Sequence, residues 1–136
     1  MSELIQLSFD KIMQTRAYTV VILSARDKKF AIYTDPGTGK ILQMYLIGAE
    51  KERPMTHDLV QSLLKGLAVH VKQVVINDMQ DAIYFARLFV EQTIGELHHI
   101  VEIDARPSDC IILALMNNVP VYCTKEVLEN SVAVEE

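Results

Sequence analysis

Residues 101–115, VEIDARPSDCIILAL, carry an apolar stretch to Asp104, break it with Arg106-Pro107-Ser108-Asp109, and resume it without a spacer. Such a break suits the start of a helix. Proline at the first helical position loses nothing, because its missing N–H would have had no acceptor there, and its φ is already helical. Asp109 then falls in the first turn, where the helix dipole favours a negative charge. The stretch therefore reads as the end of a strand followed by a helix over Pro107–Met116. From Cys110 to Met116 that helix is apolar nearly all round. It must be covered on several sides, by a sheet and by another subunit, so a homo-oligomer is expected, most simply a two-fold dimer.

Working upstream, VKQVVIN (71–77), AIYFARLFVE (82–91) and LHHIVEID (97–104) are separated by the polar corners DMQD and QTIGE. Three strands with short connections make an antiparallel meander. Before them, Val60, Leu63, Leu64 and Leu67 recur at helical spacing over 56–68, with His57, Asp58, Gln61 and Lys65 mostly on the other face. Thr56 is the natural N-cap and Asp58 sits in the first turn. The first third reads as strands: AYTVVILSA, then FAIYT, with DPGTGK (35–40) as a hairpin turn and ILQMYLI (41–47) resuming the apolar pattern. The GTGK string fails as a phosphate loop, since Thr34 stands where a glycine is needed and Ile41 follows Lys40.

Downstream, NNVP ends the apolar helix, VPVYC is a short strand, and Thr124 can cap the short helix KEVLEN. The expected fold is α+β: an antiparallel or mixed sheet with a meander and two to three packed helices. The 136 residues suffice for one domain with its own core, over 1–128, leaving 129–136 as an acidic tail.

Half the residues are hydrophobic and 23% are charged, a globular composition. The N-terminus shows no basic start followed by an apolar block, and no apolar run approaches the roughly 20 residues needed to cross a bilayer. No membrane association is expected. Cys110 and Cys123 lie inside apolar runs and read as buried free thiols in a reducing cytoplasm. Eighteen acidic residues against 13 basic ones give a formal charge of −5. With no Lys/Arg run, and with Arg26, Lys28 and Lys29 reading as a solvated turn, tight nonspecific binding to nucleic acid is disfavoured. A local site stays open.

The Arg-Pro element occurs twice: ERPMTHD (52–58) and ARPSD (105–109) each precede a helix and place an aspartate in its first turn. Each arginine is held extended by its proline beside free N–H groups that attract anions. Capping accounts for most of these residues, with Arg106 paired to Asp104 or Asp109. It accounts least for the arginines, since a surface ion pair contributes only about 0–1 kcal/mol.

IDARPSDCIILAL, ERPMTHDLVQSLL and VVINDMQDAIYFARL together resemble the bifunctional nuclease family, over roughly residues 40–128. The resemblance implies a small α+β domain with DNase and RNase activity and weak sequence preference. It implies Arg53, Pro54, Thr56, His57 and Asp58 as one motif, and Asp104, Arg106, Pro107, Ser108 and Asp109 as the other. For phosphodiester hydrolysis Arg53 and Arg106, with Ser108, suit the phosphate. Asp58, Asp104 and Asp109 are the candidates for Mg²⁺ or Mn²⁺, and no organic cofactor is expected. His57 is of the type that serves as general acid or base near neutral pH. Weakly bound, single-stranded nucleic acid and a second copy of the chain are the expected partners. One departure stands out: relatives carry a further helix before the first Arg-Pro, where GAEKERP leaves room only for a loop.

Bland readings apply elsewhere. His98 and His99 are adjacent on a strand and point to opposite faces, which argues against a shared metal. Tyr84 and Phe85 read as core and sheet surface rather than a base-stacking platform. Net acidity favours a competing function, a noncatalytic oligomeric module whose helix N-termini bind an anionic metabolite, nucleotide or protein carboxylate.

Overall fold

A computed structural model describes residues 3–134. In chain order these form β1 (Leu4–Gln14), β2 (Thr19–Ala25), β3 (Lys28–Thr34), α1 (Pro36–Ile47), α2 (Thr56–Gly66), β4 (Val69–Gln80), β5 (Ile83–Ile94), β6 (Leu97–Ala105), α3 (Pro107–Asn117), β7 (Val121–Thr124) and α4 (Lys125–Asn130). The strands make one seven-stranded mixed sheet in the order β3-β2-β1-β7-β4-β5-β6. The meander β4-β5-β6 is antiparallel as expected, and β7 joins it parallel to β4. The fold is α+β in a single domain.

Two elements differ from expectation. β1 was not foreseen, although Ile5 and Leu7 are buried and pair with Cys123 and Val121 of β7. The expected hairpin turn at DPGTGK and strand at ILQMYLI are instead one helix, α1. Asp35 caps it, its carboxylate accepting the Thr38 N–H at 2.8 Å and the Thr38 hydroxyl at 2.7 Å. Pro36 follows at the first helical position, and Gly48 closes the C-terminus in the left-handed region, with φ 66°. The caps override the turn-forming residues between them. Gly39 is needed there, because a Cβ would collide with the Thr19 hydroxyl of β2 and lie 2.6 Å from Thr19 Cβ and Cγ2. A helix, α1, thus precedes the loop that leads to Arg53.

The α3 helix needs no partner to cover it. Cys110 through Ala114 are all buried within the chain, packed among α1, β4 and β5. That removes the expected reason for oligomerisation. The exposed apolar surface lies elsewhere, on β6, whose residues 97–104 are all exposed although the strand includes Leu97, Ile100, Val101 and Ile103. At the opposite sheet edge, the Val134 N–H donates to the Lys29 carbonyl of β3 at 2.8 Å. The acidic tail is thus tied down as far as it is described, with Ser131 buried; Glu135 and Glu136 lie outside the described residues.

Burial pushes the Cys110 thiol up to about 12 and the Cys123 thiol to about 11, so both are inert free thiols. Among the described residues no helix is long and apolar enough to cross a membrane.

Candidate active site

Three helix starts meet at one edge of the fold. The N-cap of α3 is Arg106, whose side chain makes no capping hydrogen bond, with Pro107 at the first helical position. The backbone N–H groups of Ser108 and Asp109 therefore have no acceptor within the helix. The guanidinium turns back over this first turn. Its Nε donates to Asp109 Oδ2 at 3.0 Å, its Nη2 to Asp109 Oδ1 at 3.3 Å, and its Nη1 reaches Asp35 Oδ1 at 3.5 Å. Asp109 Oδ1 in turn accepts from Nε2 of His57, at 2.9 Å, in the first turn of α2. The result is a chain of four side chains, Asp35-Arg106-Asp109-His57, that ties together α1, α3 and α2.

The electrostatics follow from these contacts. Burial works against an ionised Asp109, but the hydrogen bonds from Arg106 and His57 outweigh it and hold the carboxyl below its ordinary value. Asp109 in return holds the Arg106 guanidinium charged. The two Thr38 donors draw the Asp35 carboxyl down to about 2. His57 is buried, and its Nδ1 has no partner among the described residues. Protonating Nδ1 would bury an unpaired N–H, so the surroundings favour the tautomer with hydrogen on Nε2. The His57 ring is thus placed to orient Asp109 rather than to meet a substrate.

Asp58 belongs to a second cluster. It accepts from the Tyr45 hydroxyl at 2.9 Å, from Lys51 Nζ at 3.1 Å and from the Met55 N–H at 2.8 Å. The N-cap of α2 is thus Met55, not Thr56. Burial again opposes the charge on Asp58, and these donors overcome it, lowering its pKa. Lys51 also lies over the Tyr45 ring, 4.2 Å from its centroid. Between α2 and α3, Gln61 and Asn117 exchange amide hydrogen bonds of 2.8 and 2.9 Å, which fixes the two helices against each other.

The expected site residues are thus only partly gathered. Arg106, Asp109 and His57 come together. Arg53 and Asp58 line a separate shallow groove with Lys51 and Ser62, so the two arginines do not share one pocket. Asp104 stays on the exposed strand β6, opposite Arg87. Ser108 occupies the second helical position and is no cap, but it lines the same cleft as Arg106. The three aspartates expected to bind metal do not converge. Among the described residues no group of three acidic, histidine or cysteine side chains has metal-binding geometry. The reason is that Asp58 and Asp109 are each committed to cations and donors of their own helix starts. His98 pairs with Glu91 at 3.2 Å.

Two residues of the site were not foreseen. Asp35 lies 71 positions from Arg106 and was hidden in an apparent turn. Tyr33, next to it, lines the Arg106 cleft with its side chain exposed. That cleft, about 380 Å³, is floored by Ile32, Tyr84 and Pro107.

Asp35 gives a prediction on stability. Asp35→Ala should cost about 0.5–2 kcal/mol through loss of the cap. The folded pKa, about 2, lies below the ordinary 3.8, so the contribution is present above pH 4 and disappears as pH falls toward 2. Urea midpoints of wild type and variant should therefore differ by a constant amount from pH 5 to 8 and converge below pH 4. A gap that is unchanged at pH 3 would contradict the assigned cap.

Comparison with known proteins agrees with the motifs. Two proteins of Mycobacterium tuberculosis, one from strain CDC 1551 and one from strain H37Rv, each described as uncharacterized, are 31% identical to the chain over 102 residues. The match covers 75% of this chain, and the chain spans 58% of the length of those relatives. The model of the bifunctional nuclease domain matches residues 20–136, which takes in both Arg-Pro motifs and the four-residue chain from Asp35 to His57. The chain therefore belongs to the bifunctional nuclease domain family.

Proposed function

We propose that the chain is a nuclease that hydrolyses phosphodiester bonds of DNA and RNA with weak sequence preference, using the cleft at Arg106. The observation that carries this reading is the exposed guanidinium of Arg106 at the uncapped start of α3, held in place by Asp109 and His57. A phosphate entering there meets a planar cation and free backbone N–H groups, the combination that stabilises charge developing on a pentacoordinate phosphorus. Asp109 and His57 are positioning residues. Arg53, free of ion pairs among the described residues, suits a second phosphate further along the strand. Asp58, Asp104 and Asp109 do not fit a shared Mg²⁺ or Mn²⁺ site, and no step is assigned to a metal bound by them.

One observation favours the noncatalytic reading: Asp35 and Asp109 already balance Arg106 with two carboxylates, which weakens its pull on an anion. Both readings are tested by incubating the purified chain with single-stranded DNA and RNA in Mg²⁺, Mn²⁺ or chelator. Release of short products supports the nuclease. Saturable nucleotide binding with no cleavage of either polymer in any condition transfers the site to the noncatalytic module.

The same reading includes a homodimer, formed through β6 rather than α3. A regular, exposed, partly apolar edge strand without proline, lysine or bulge is a template for pairing with another strand. An antiparallel two-fold about Val101, the midpoint of β6, pairs the strand over its whole length and sets His98 opposite the partner's Asp104. Moving the axis to Ile100 would set Glu96 against the partner's Asp104, and moving it to Glu102 would set that residue against itself. Light scattering should therefore give a dimer mass. Val101→Lys should give a monomer, and Val101→Cys should oxidise to a covalent dimer, against a background of two buried thiols. A wild type that stays monomeric at high concentration, or a dimer indifferent to both variants, would exclude this interface.

A further inference from the structure

Tyr33 is 62% exposed, unusually open for an aromatic ring flanked by the buried Ile32. Among the described residues its ring meets another aromatic only at Tyr18, edge to face, with centroids 5.3 Å apart at 74°. It stands between two adjoining clefts. One is the 380 Å³ cleft of Arg106 and Ser108; the other, about 420 Å³, is apolar and walled by Ala31, Met79, Val132 and Val134. Tyr33, Ala82 and Tyr84 line both. Tyr84 is held in the floor by stacking on the buried Phe30, at 5.4 Å and 24°. The double cleft thus offers the Arg106 guanidinium, with Asp35 beside it, and the Ser108 hydroxyl at one end, and is flat and apolar at the other, with an open ring at the junction.

We propose that this double cleft is a nucleobase subsite: an unpaired base lies against Tyr33, over Tyr84 and Ala82, while its phosphate meets Arg106. The phosphate end rests on the reading of Arg106 given above. An amphiphile with one anionic end and one flat apolar body matches the polarity of the cleft end to end. A nucleotide has that form, and stacking on an aromatic ring is indifferent to which base is presented. A base inside a duplex has both faces covered by its neighbours, so only an unpaired one can reach Tyr33. Single strands, loops and frayed ends are therefore the expected substrates, recognised without sequence.

Calorimetric titration with adenosine 5′-monophosphate, ribose 5-phosphate and inorganic phosphate tests this without requiring cleavage. The intact chain should bind the nucleotide about 10-fold or more tightly than ribose 5-phosphate. Tyr33→Ala should abolish that difference, Tyr33→Phe should keep it, and Arg106→Ala should weaken both ligands alike. Tyr33 is largely exposed, so melting temperatures should stay close to wild type and show that the variants are folded. Equal affinity for nucleotide and ribose 5-phosphate, absence of nucleotide binding, or an undiminished preference in Tyr33→Ala would overturn the subsite. Base-dependent binding without cleavage of any polymer would leave the subsite standing and remove the nuclease reading instead. Cleavage without a base preference would do the reverse.

Discussion

Arg106→Ala should lower the rate of strand cleavage on the order of 10²-fold or more, with almost no effect on the fold. The two halves of this expectation have separate causes. The Arg106 side chain is 60% exposed, and exposed ion pairs contribute only about 0–1 kcal/mol to stability. Its removal strands no buried charge, because Asp109 keeps its 2.9 Å contact with His57. In the transition state the guanidinium faces a phosphorus centre gaining charge, where loss of one well-placed donor costs about 2.7 kcal/mol or more. Arg106→Lys should recover only part, since a point charge cannot reproduce two parallel contacts with phosphate oxygens. Initial rates on single-stranded DNA and melting temperatures should be measured on the same samples. If Arg106→Ala unfolds the chain, and neither phosphate nor nucleotide moves the wild-type melting temperature, Arg106 is a structural residue.

Much of this site is legible in the sequence because its key contact is local. Arg106, Pro107 and Asp109 lie within four positions, so proline stereochemistry and first-turn electrostatics suffice to predict an arginine at the helix start paired with an aspartate. What is not legible is long-range. His57 reaches Asp109 across 52 positions, and Asp35 reaches Arg106 across 71. One signal for His57 was present: it stands three and seven positions before Val60 and Leu64, the residues of α2 that pack inward. Leu63 and Leu67, expected on the buried face, are instead 57% and 62% exposed. Leucine periodicity fixed the helix but misplaced its rotation, because the inward face of α2 also carries His57 and Gln61. Their polar atoms are directed to partners on α3, which no hydrophobic pattern reveals.

The fold was legible where period-two alternation and corners agree, as in β4-β5-β6. It was least so at α1, where Pro36, Gly37, Thr38 and Gly39 all favour turns by local preference. Local preference loses there because Asp35 caps the Thr38 N–H and because Thr19 of the sheet leaves no room for a Cβ at Gly39. Reading α1 as turn and strand also concealed Asp35 and Tyr33, both flanking the same corner.

Gly39→Ala should therefore destabilise the chain, against the usual sign. In an ordinary exposed helix interior, alanine is favoured over glycine by about 1 kcal/mol. At Gly39 the new methyl would occupy the space of the Thr19 side chain, which is fully buried and cannot swing aside. Thr19 is fixed by backbone pairing to both Gln14 and Thr34, and its hydroxyl donates to Gln14 Oε1 at 2.6 Å. The helix must lift or the strand must bend, at a cost of about 1–3 kcal/mol or more. The melting temperature should fall by roughly 4–12 °C for a chain of this size. Gly66→Ala supplies the control: nothing lies within 4 Å of a Cβ there, and it should stabilise or be neutral. Thr19→Gly removes all three clashing atoms, so Thr19→Gly/Gly39→Ala should lose clearly less than the sum of the single variants. Lifting α1 also carries Asp35 away from Arg106, so cleavage should change in the folded fraction of Gly39→Ala while Gly66→Ala keeps the wild-type rate. A stabilised Gly39→Ala would mean that α1 does not lie against Thr19, and the link from the turn-like DPGTGK to the phosphate cleft would fail with it.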